Sequence, residues 1–142
     1  LTDKELQEIV TIAALDSDLA LFPQGIDTIV GEKGLTLSGG QKQRVSIARA
    51  LAVNPPILIL DDALSAVDTE TEERILTGLF KLRKGKTNII VSNRVSTLQN
   101  ADYIGVFSHG ALIQLGAPAE LLAQEGFFAE IAAMQRLTHD KG

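Results

Sequence analysis

The sequence has no cysteine and no tryptophan, and holds one tyrosine, one methionine and four prolines in 142 residues. Without cysteine there is no disulfide framework and no thiolate metal site, a composition that fits a reducing compartment. Long apolar runs are missing as well. No stretch approaches the roughly 18 residues of a membrane-spanning helix. The opening LTDKELQEIV lacks a basic segment followed by an apolar one, so it is not a secretory signal. It also lacks an initial Met and enters directly into a helix cap, so the chain is expected to be a piece of a longer polypeptide. Positive charge is scarce: 13 Lys and Arg stand against 18 Asp and Glu, a formal net charge of −5. That balance argues against a general binder of nucleic acid or of anionic membranes, although Lys42 and Arg44 are candidates for a local basic patch. A phosphate-binding loop is absent too. Gly85-Lys86-Thr87 imitates the end of G-x-x-x-x-G-K-[ST], but Phe80 stands where the first Gly is required and the triplet leads into a strand.

What is present is ordinary for a globular domain: 45% hydrophobic, 22% charged and 4% aromatic residues. A chain of this length is expected to bury about two-thirds of its unfolded surface in one core. Thr2 and Glu5 form a capping box, and Leu6, Ile9, Val10, Ala13 and Ala14 follow on one helical face. A short helix at 16–22 is closed by Pro23-Gln24-Gly25, and 26–36 reads as loop or short extended structure. A helix from Gly39 to Val53 is stopped by Asn54-Pro55-Pro56. Strand 57–61 is followed by a loop and by a helix capped by Thr69 with Glu72, apolar at Ile75, Leu76, Leu79 and Leu82 and closed by Gly85. Thr87 to Val91 is a second strand, and the β-α-β spacing implies a parallel sheet. A helical turn at 95–98, a hairpin of 103–107 with 111–115, and helices at 118–123 and 127–137 complete the chain. His109 on the hairpin turn and His139 near the end have no ligand partners at useful spacing and read as surface residues.

Two stretches carry chemistry. Ser38 is a good N-cap, and Gln41 three residues later completes a second capping box. Gly39 and Gly40 leave the first free amides of that helix unobstructed, and those donors with the positive end of the helix dipole suit a phosphate. Ile57-Leu58-Ile59-Leu60 then reads as a buried strand delivering Asp61 and Asp62 at its C-terminal end, where open α/β sheets place their ligands.

On these residues the chain resembles the ATP-binding cassette (ABC) ATPases. LSGGQKQR at 37–44 resembles their signature motif, ILILDD at 57–62 their Walker B strand, and Ser65-Ala66-Val67-Asp68 the D-loop. Val91-Ser92-Asn93-Arg94-Val95-Ser96-Thr97 resembles the switch loop. The resemblance implies an α/β fold, a P-loop NTPase (RecA-like) parallel sheet core with an ABC helical subdomain, incomplete because the P-loop half is absent. Residues 1–53 would be the helical-subdomain segment, 54–116 the core segment and 117–142 the C-terminal helices. It further implies two such domains packed head to tail. Ser38 and the amides of Gly39 and Gly40 would then contact the γ-phosphate of ATP seated on the partner domain, with Gln41 positioning and the D-loop residues Ser65 and Asp68 completing that site. Asp61 would hold Mg²⁺ through water; the plain alternative is an Asp that caps the next helix.

Two positions depart from the family pattern. Asp62 stands where Glu normally polarises the attacking water, and Asn93 where His normally stands. Aspartate reaches about 1 Å less, and misplacement on that scale can cost on the order of a hundredfold. An amide can donate to a phosphate but cannot shuttle a proton. A hydrolysis-impaired ATP site is therefore expected. Ser96-Thr97-Leu98, Ala101-Asp102-Tyr103-Ile104, and 116–122 followed by Gly126-Phe127-Phe128 look like exporter-type half-transporters, the degenerate-site subunit of a heterodimeric exporter above all. Asp27 to Gly34 resembles a loop that touches the transmembrane subunits of exporters, a solvated turn being the alternative. The implied location is the cytoplasmic face of a membrane, with no nucleic-acid partner and no activity in the segment alone. A non-transport ABC ATPase and an interaction-only segment remain as other readings. The resemblance implies a P-loop strand between 87–91 and 103–107; without it two strand edges lack a partner, so self-association or a rearranged sheet is expected.

Overall fold

The structure, a computed structural model, describes residues 1–139. It forms two compact units, 1–91 and 92 onward. The expectation for His139 lies outside the described side chains.

In the first unit, α1 (Asp3–Ile12) is capped by Thr2, whose side chain accepts from the amide of Glu5 while the Glu5 carboxylate accepts from the amide of Thr2. Then come α2 (Asp16–Leu21), a 3₁₀ turn at Gly25–Asp27, α3 (Gly39–Val53), β1 (Ile57–Asp61), α4 (Thr69–Leu82) and β2 (Thr87–Val91). β1 and β2 pair in parallel with Ile57 opposite Thr87 and Asp61 opposite Val91, so α4 is the crossover between them. The core draws Ile47 and Leu51 from α3, Leu58 and Leu60 from β1, and Ile75, Leu76 and Leu79 from α4. The buried guanidinium of Arg83 ties the end of α4 to β2, with Nε donating to Asn88 Oδ1 (2.6 Å) and Nη2 to Thr87 O (3.2 Å).

Three expectations change. First, Asp68 is the N-cap of α4, its carboxylate accepting from the amide of Thr71 at 2.9 Å, and Thr69 is already the first helical residue. A carboxylate next to the helix start also gains from the helix dipole. Second, Gly85 does not cap α4. Arg83 does, and Gly85 follows in the turn to β2. Third, β1 is buried on one face only. Leu58 and Leu60 are inside, whereas Ile57 and Ile59 are 56% and 62% exposed because no element of this unit covers the outer face of the sheet.

The second unit contains α5 (Val95–Leu98), β3 (Ile104–Ser108), β4 (Ala111–Gly116), α6 (Pro118–Ala123) and α7 (Phe127–His139). β3 and β4 form an antiparallel hairpin through His109-Gly110, both at positive φ (49° and 77°). That is the pairing a two-residue turn between right-twisted strands requires. Its core is Val95, Ile104, Leu121, Phe128 and Ala132. Of the two expected outcomes, self-association or a rearranged sheet, the second does not occur: among the described residues β2 pairs only with β1, and β3 only with β4.

The first unit stands on the α3–β1–α4 core. Leu79, fully buried, should lose about 2–5 kcal/mol on replacement by Ala. Ile59→Thr on the open face should change stability by about 0.5 kcal/mol or less. Equilibrium urea unfolding measures both, and equal effects would contradict this packing.

Candidate functional site

The first turn of α3 is held by reciprocal hydrogen bonds. The amide of Gln41 donates to Ser38 Oγ (3.2 Å), and the amide of Ser38 donates to Gln41 Oε1 (2.8 Å). The other end of the Gln41 amide group donates to Asp18 Oδ1 at 2.7 Å. Asp18 in turn receives Arg44 Nη1 on Oδ2 at 2.5 Å, and the same guanidinium nitrogen bonds the carbonyl of Ala14. Hydrogen bonds to charged groups contribute about 1.5–3 kcal/mol each. This partly buried network therefore fixes the entry of α3 against the start of α2.

Ser38, Gly39 and Gly40 line an open pocket of about 610 Å³ together with Arg44, Asp68 and Arg74. The two arginines are matched by aspartates: Arg44 by Asp18, and Arg74 by Asp16 at 3.2 Å. The expected basic patch at Lys42 and Arg44 is thus reduced, since Arg44 is committed to an internal carboxylate. What points positive into the pocket is the amino end of α3, where the dipole and free first-turn amides concentrate. Gly40 is required for a steric reason as well. A Cβ there would lie 2.9 Å from the carbonyl oxygen of Ala66.

Asp61 and Asp62 stand exposed at the C-terminal end of β1. Asp61 does not cap the next helix, because Asp68 does. Among the described residues no group of three His, Cys, Asp or Glu side chains converges to hold a metal by itself. A lone exposed carboxylate still fits Mg²⁺, which is commonly bound by one or two carboxylates with phosphate and water completing its shell. Asp62 adopts a left-handed conformation (φ 50°), its amide donating to Val91 O at 3.1 Å. Ser65 follows, with its hydroxyl donating to Asp62 O (3.2 Å). Asn93 lies in the second unit with an exposed side chain, and its carbonyl accepts from Gln135 Nε2 at 2.8 Å. Gln135 Oε1 also accepts from the amide of Val95 (2.9 Å), so α7 holds the loop on which Asn93 sits.

The pocket thus brings together Ser38, Gly39, Gly40 and Asp68, with Asp61 and Asp62 at the strand end and Asn93 in the other unit. Sequence reasoning did not single out Asp18, Gln43 or Arg74. Their partners lie 19 to 63 residues away, and no local pattern marks such pairs. The loop at Ile29 to Leu35 closes on itself through an isolated bridge of Val30 with Leu35, and exposes Ile29 and Val30.

Comparison with known proteins agrees with this geometry. A family model described as ABC transporter matches residues 5–65. The chain is 50% identical over 136 residues to a probable multidrug resistance ABC transporter ATP-binding/permease protein of Bacillus subtilis, covering 96% of this chain and 23% of that protein. It is 51% identical over 114 residues to an ATP-dependent lipid A-core flippase of Aromatoleum aromaticum, covering 80% of this chain and 19% of the flippase. A solved bacterial ABC exporter with ATP bound superposes with a TM-score of 0.86 at 44% identity, over 95% of this chain and 24% of that one. Over nearly its whole length the chain is therefore similar to a segment of the nucleotide-binding domain of ABC transporters, and it has the α/β fold of that domain in part. It spans about a fifth to a quarter of the length of these relatives.

The cap of α4 gives this region a pH dependence. The backbone amide of Thr71 first, and its hydroxyl second, hold the Asp68 carboxyl below the ordinary aspartate value. A depressed folded pKa means the cap's contribution is complete above the unfolded value and is lost as pH falls through the folded one. An NMR titration should show the Thr71 amide shifting with an acid midpoint below that of free aspartate. Asp68→Asn, which keeps an acceptor, should abolish that titration. A Thr71 amide that ignores pH in the unaltered protein would contradict the cap.

Proposed function

We propose that this chain is part of the ATPase domain of an ABC exporter, and that the amino end of α3 closes over ATP seated on a second such domain. The observation that carries the reading is the pocket at Ser38, Gly39 and Gly40, with Asp68 on its rim and no unmatched arginine within it. A triphosphate arriving with its own cation needs donors and a dipole more than further cations. In this reading Ser38 Oγ and the first-turn amides bind phosphate oxygens, Gln41 orients the turn, and Ser65 and Asp68 complete the partner's site. The domain's own site takes Asp61 as the carboxylate for Mg²⁺, which neutralises phosphate charge when bound. Asp62 is assigned to the attacking water and Asn93 to the γ-phosphate, by resemblance to the family's catalytic Glu and His.

The finer part of the proposal is that this site hydrolyses ATP poorly, as in the degenerate-site subunit of a heterodimeric exporter. Asp62 has the acid chemistry of glutamate with less reach, and geometry takes precedence over pKa in general-base work. Asn93 supplies a donor but no titratable nitrogen. The exposed Ile29 and Val30 suit contact with transmembrane domains supplied outside this chain, which would hold the ATPase domain on the cytoplasmic face of a membrane. Among the described residues no helix is long and apolar enough to cross one. The segment by itself is proposed to be inactive, because it carries no phosphate-binding loop.

The test is ATP turnover by the full-length protein in reconstituted membranes. Asp62→Glu combined with Asn93→His should raise site-resolved hydrolysis by on the order of tenfold to a hundredfold. Unchanged hydrolysis at that site would remove the impaired-site reading. No hydrolysis in either protein would remove the ATPase reading.

A further inference from the structure

Gln43 belongs to α3 but spends its whole carboxamide on another element. Its Nε2 donates to Asp62 O (3.1 Å) and to Ser65 Oγ (2.9 Å), and its Oε1 accepts from the amide of Ala66 (2.8 Å). The Ser65 hydroxyl donates to the same Asp62 carbonyl. Asp62 meanwhile holds a left-handed backbone conformation at φ 50°. That conformation carries a steric cost for any residue with a Cβ, and persists where its surroundings over-determine it. Here its amide is fixed by Val91 O, and its carbonyl is fixed by Gln43 and Ser65. The direction of the Asp62 side chain follows from that backbone. The fit is close on the same side of α3, where Gly40 meets the carbonyl of Ala66.

We infer that Gln43 is a positioning residue: it holds the Asp62–Ala66 loop in one register against α3, and so sets both the aim of the Asp62 carboxylate and the placement of Ser65. This rests on the reading of Asp62 and Ser65 as parts of ATP sites. The same amide group therefore connects the helix that faces a partner's nucleotide to the carboxylate that faces the domain's own. Glutamate at position 43 would have nearly the same shape but only acceptors. It would keep the Ala66 amide and lose both donated bonds, turning a carboxylate toward the Asp62 carbonyl.

The experiment uses the full-length protein with Gln43→Glu and Gln43→Ala, and reads steady-state ATP turnover alongside amide hydrogen exchange. The expected result for both variants is a kcat lowered by about tenfold to a hundredfold, the scale of a small misplacement of reacting groups, with KM for ATP and the thermal midpoint held. Total turnover responds whichever site dominates it, because the loop serves both. In Gln43→Ala the Ala66 amide should exchange faster, while the Gln41 amide, bonded to Ser38, keeps its protection. Wild-type kcat in Gln43→Glu would overturn the inference, as would a change in KM alone. Unaltered exchange at Ala66 would overturn it too, and so would faster exchange throughout α3 and α4, the mark of a merely structural residue. If the unaltered protein does not hydrolyse ATP, the ATPase reading fails on its own. The Ala66 exchange then decides separately whether Gln43 holds the loop.

Discussion

The amino end of α3 depends on a carboxylate that does not belong to its helix. Asp18 takes the Gln41 amide on one oxygen and the Arg44 guanidinium on the other. A capping box alone would leave the first turn free to fray, as helix ends do. The added tie fixes it against α2 and leaves the dipole of a fifteen-residue helix as the uncompensated positive feature of the pocket. Charge is thus handled by subtraction. Arg44 is paired with Asp18 in a partly buried bridge and Arg74 with Asp16 at the surface, and the backbone of the Ser-Gly-Gly turn is what remains to meet an anion.

From that fixed turn, order passes to the rest of the first unit through packing and through Gln43. Ile47 and Leu51 seat α3 on β1 and α4, while the Gln43 carboxamide sets the loop that follows β1. Apolar contacts decide that the elements meet, and directional bonds decide their register. Neither would place Asp62 alone. The second unit uses the same device: the carboxamide of Gln135 on α7 holds the backbone on both sides of Arg94.

The local rules were legible in the sequence wherever the partner of a residue lay within a turn or two. Both capping boxes, the stop at Asn54-Pro55-Pro56, the βαβ unit and the hairpin through His109-Gly110 follow from patterns that need no distant residue. The cap of α4 differs by one position from its sequence expectation because Asp68 and Thr69 are both good caps, and only the observed bond to Thr71 separates them. Burial of β1 was overstated for a different reason. A continuous apolar run implies two covered faces, but the sheet here has two strands and helices on one side, so Ile57, Ile59, Ile89 and Val91 face outward. The roles of Asp18, Gln43 and Gln135 are illegible in the sequence because their contacts span 19 to 42 residues. Each is a common polar residue whose meaning exists only after folding.

What meets the first turn of α3 in the assembled protein decides the role of the Ser-Gly-Gly turn. The most direct measurement is a structure of the full-length protein with Mg²⁺ and ATP trapped before hydrolysis. Ser38 Oγ and the amide of Gly39 or Gly40 should lie within hydrogen-bond reach, about 2.7–3.2 Å, of a γ-phosphate oxygen on nucleotide held by the neighbouring domain. A triphosphate bound elsewhere, with Ser38 turned toward solvent, would contradict it.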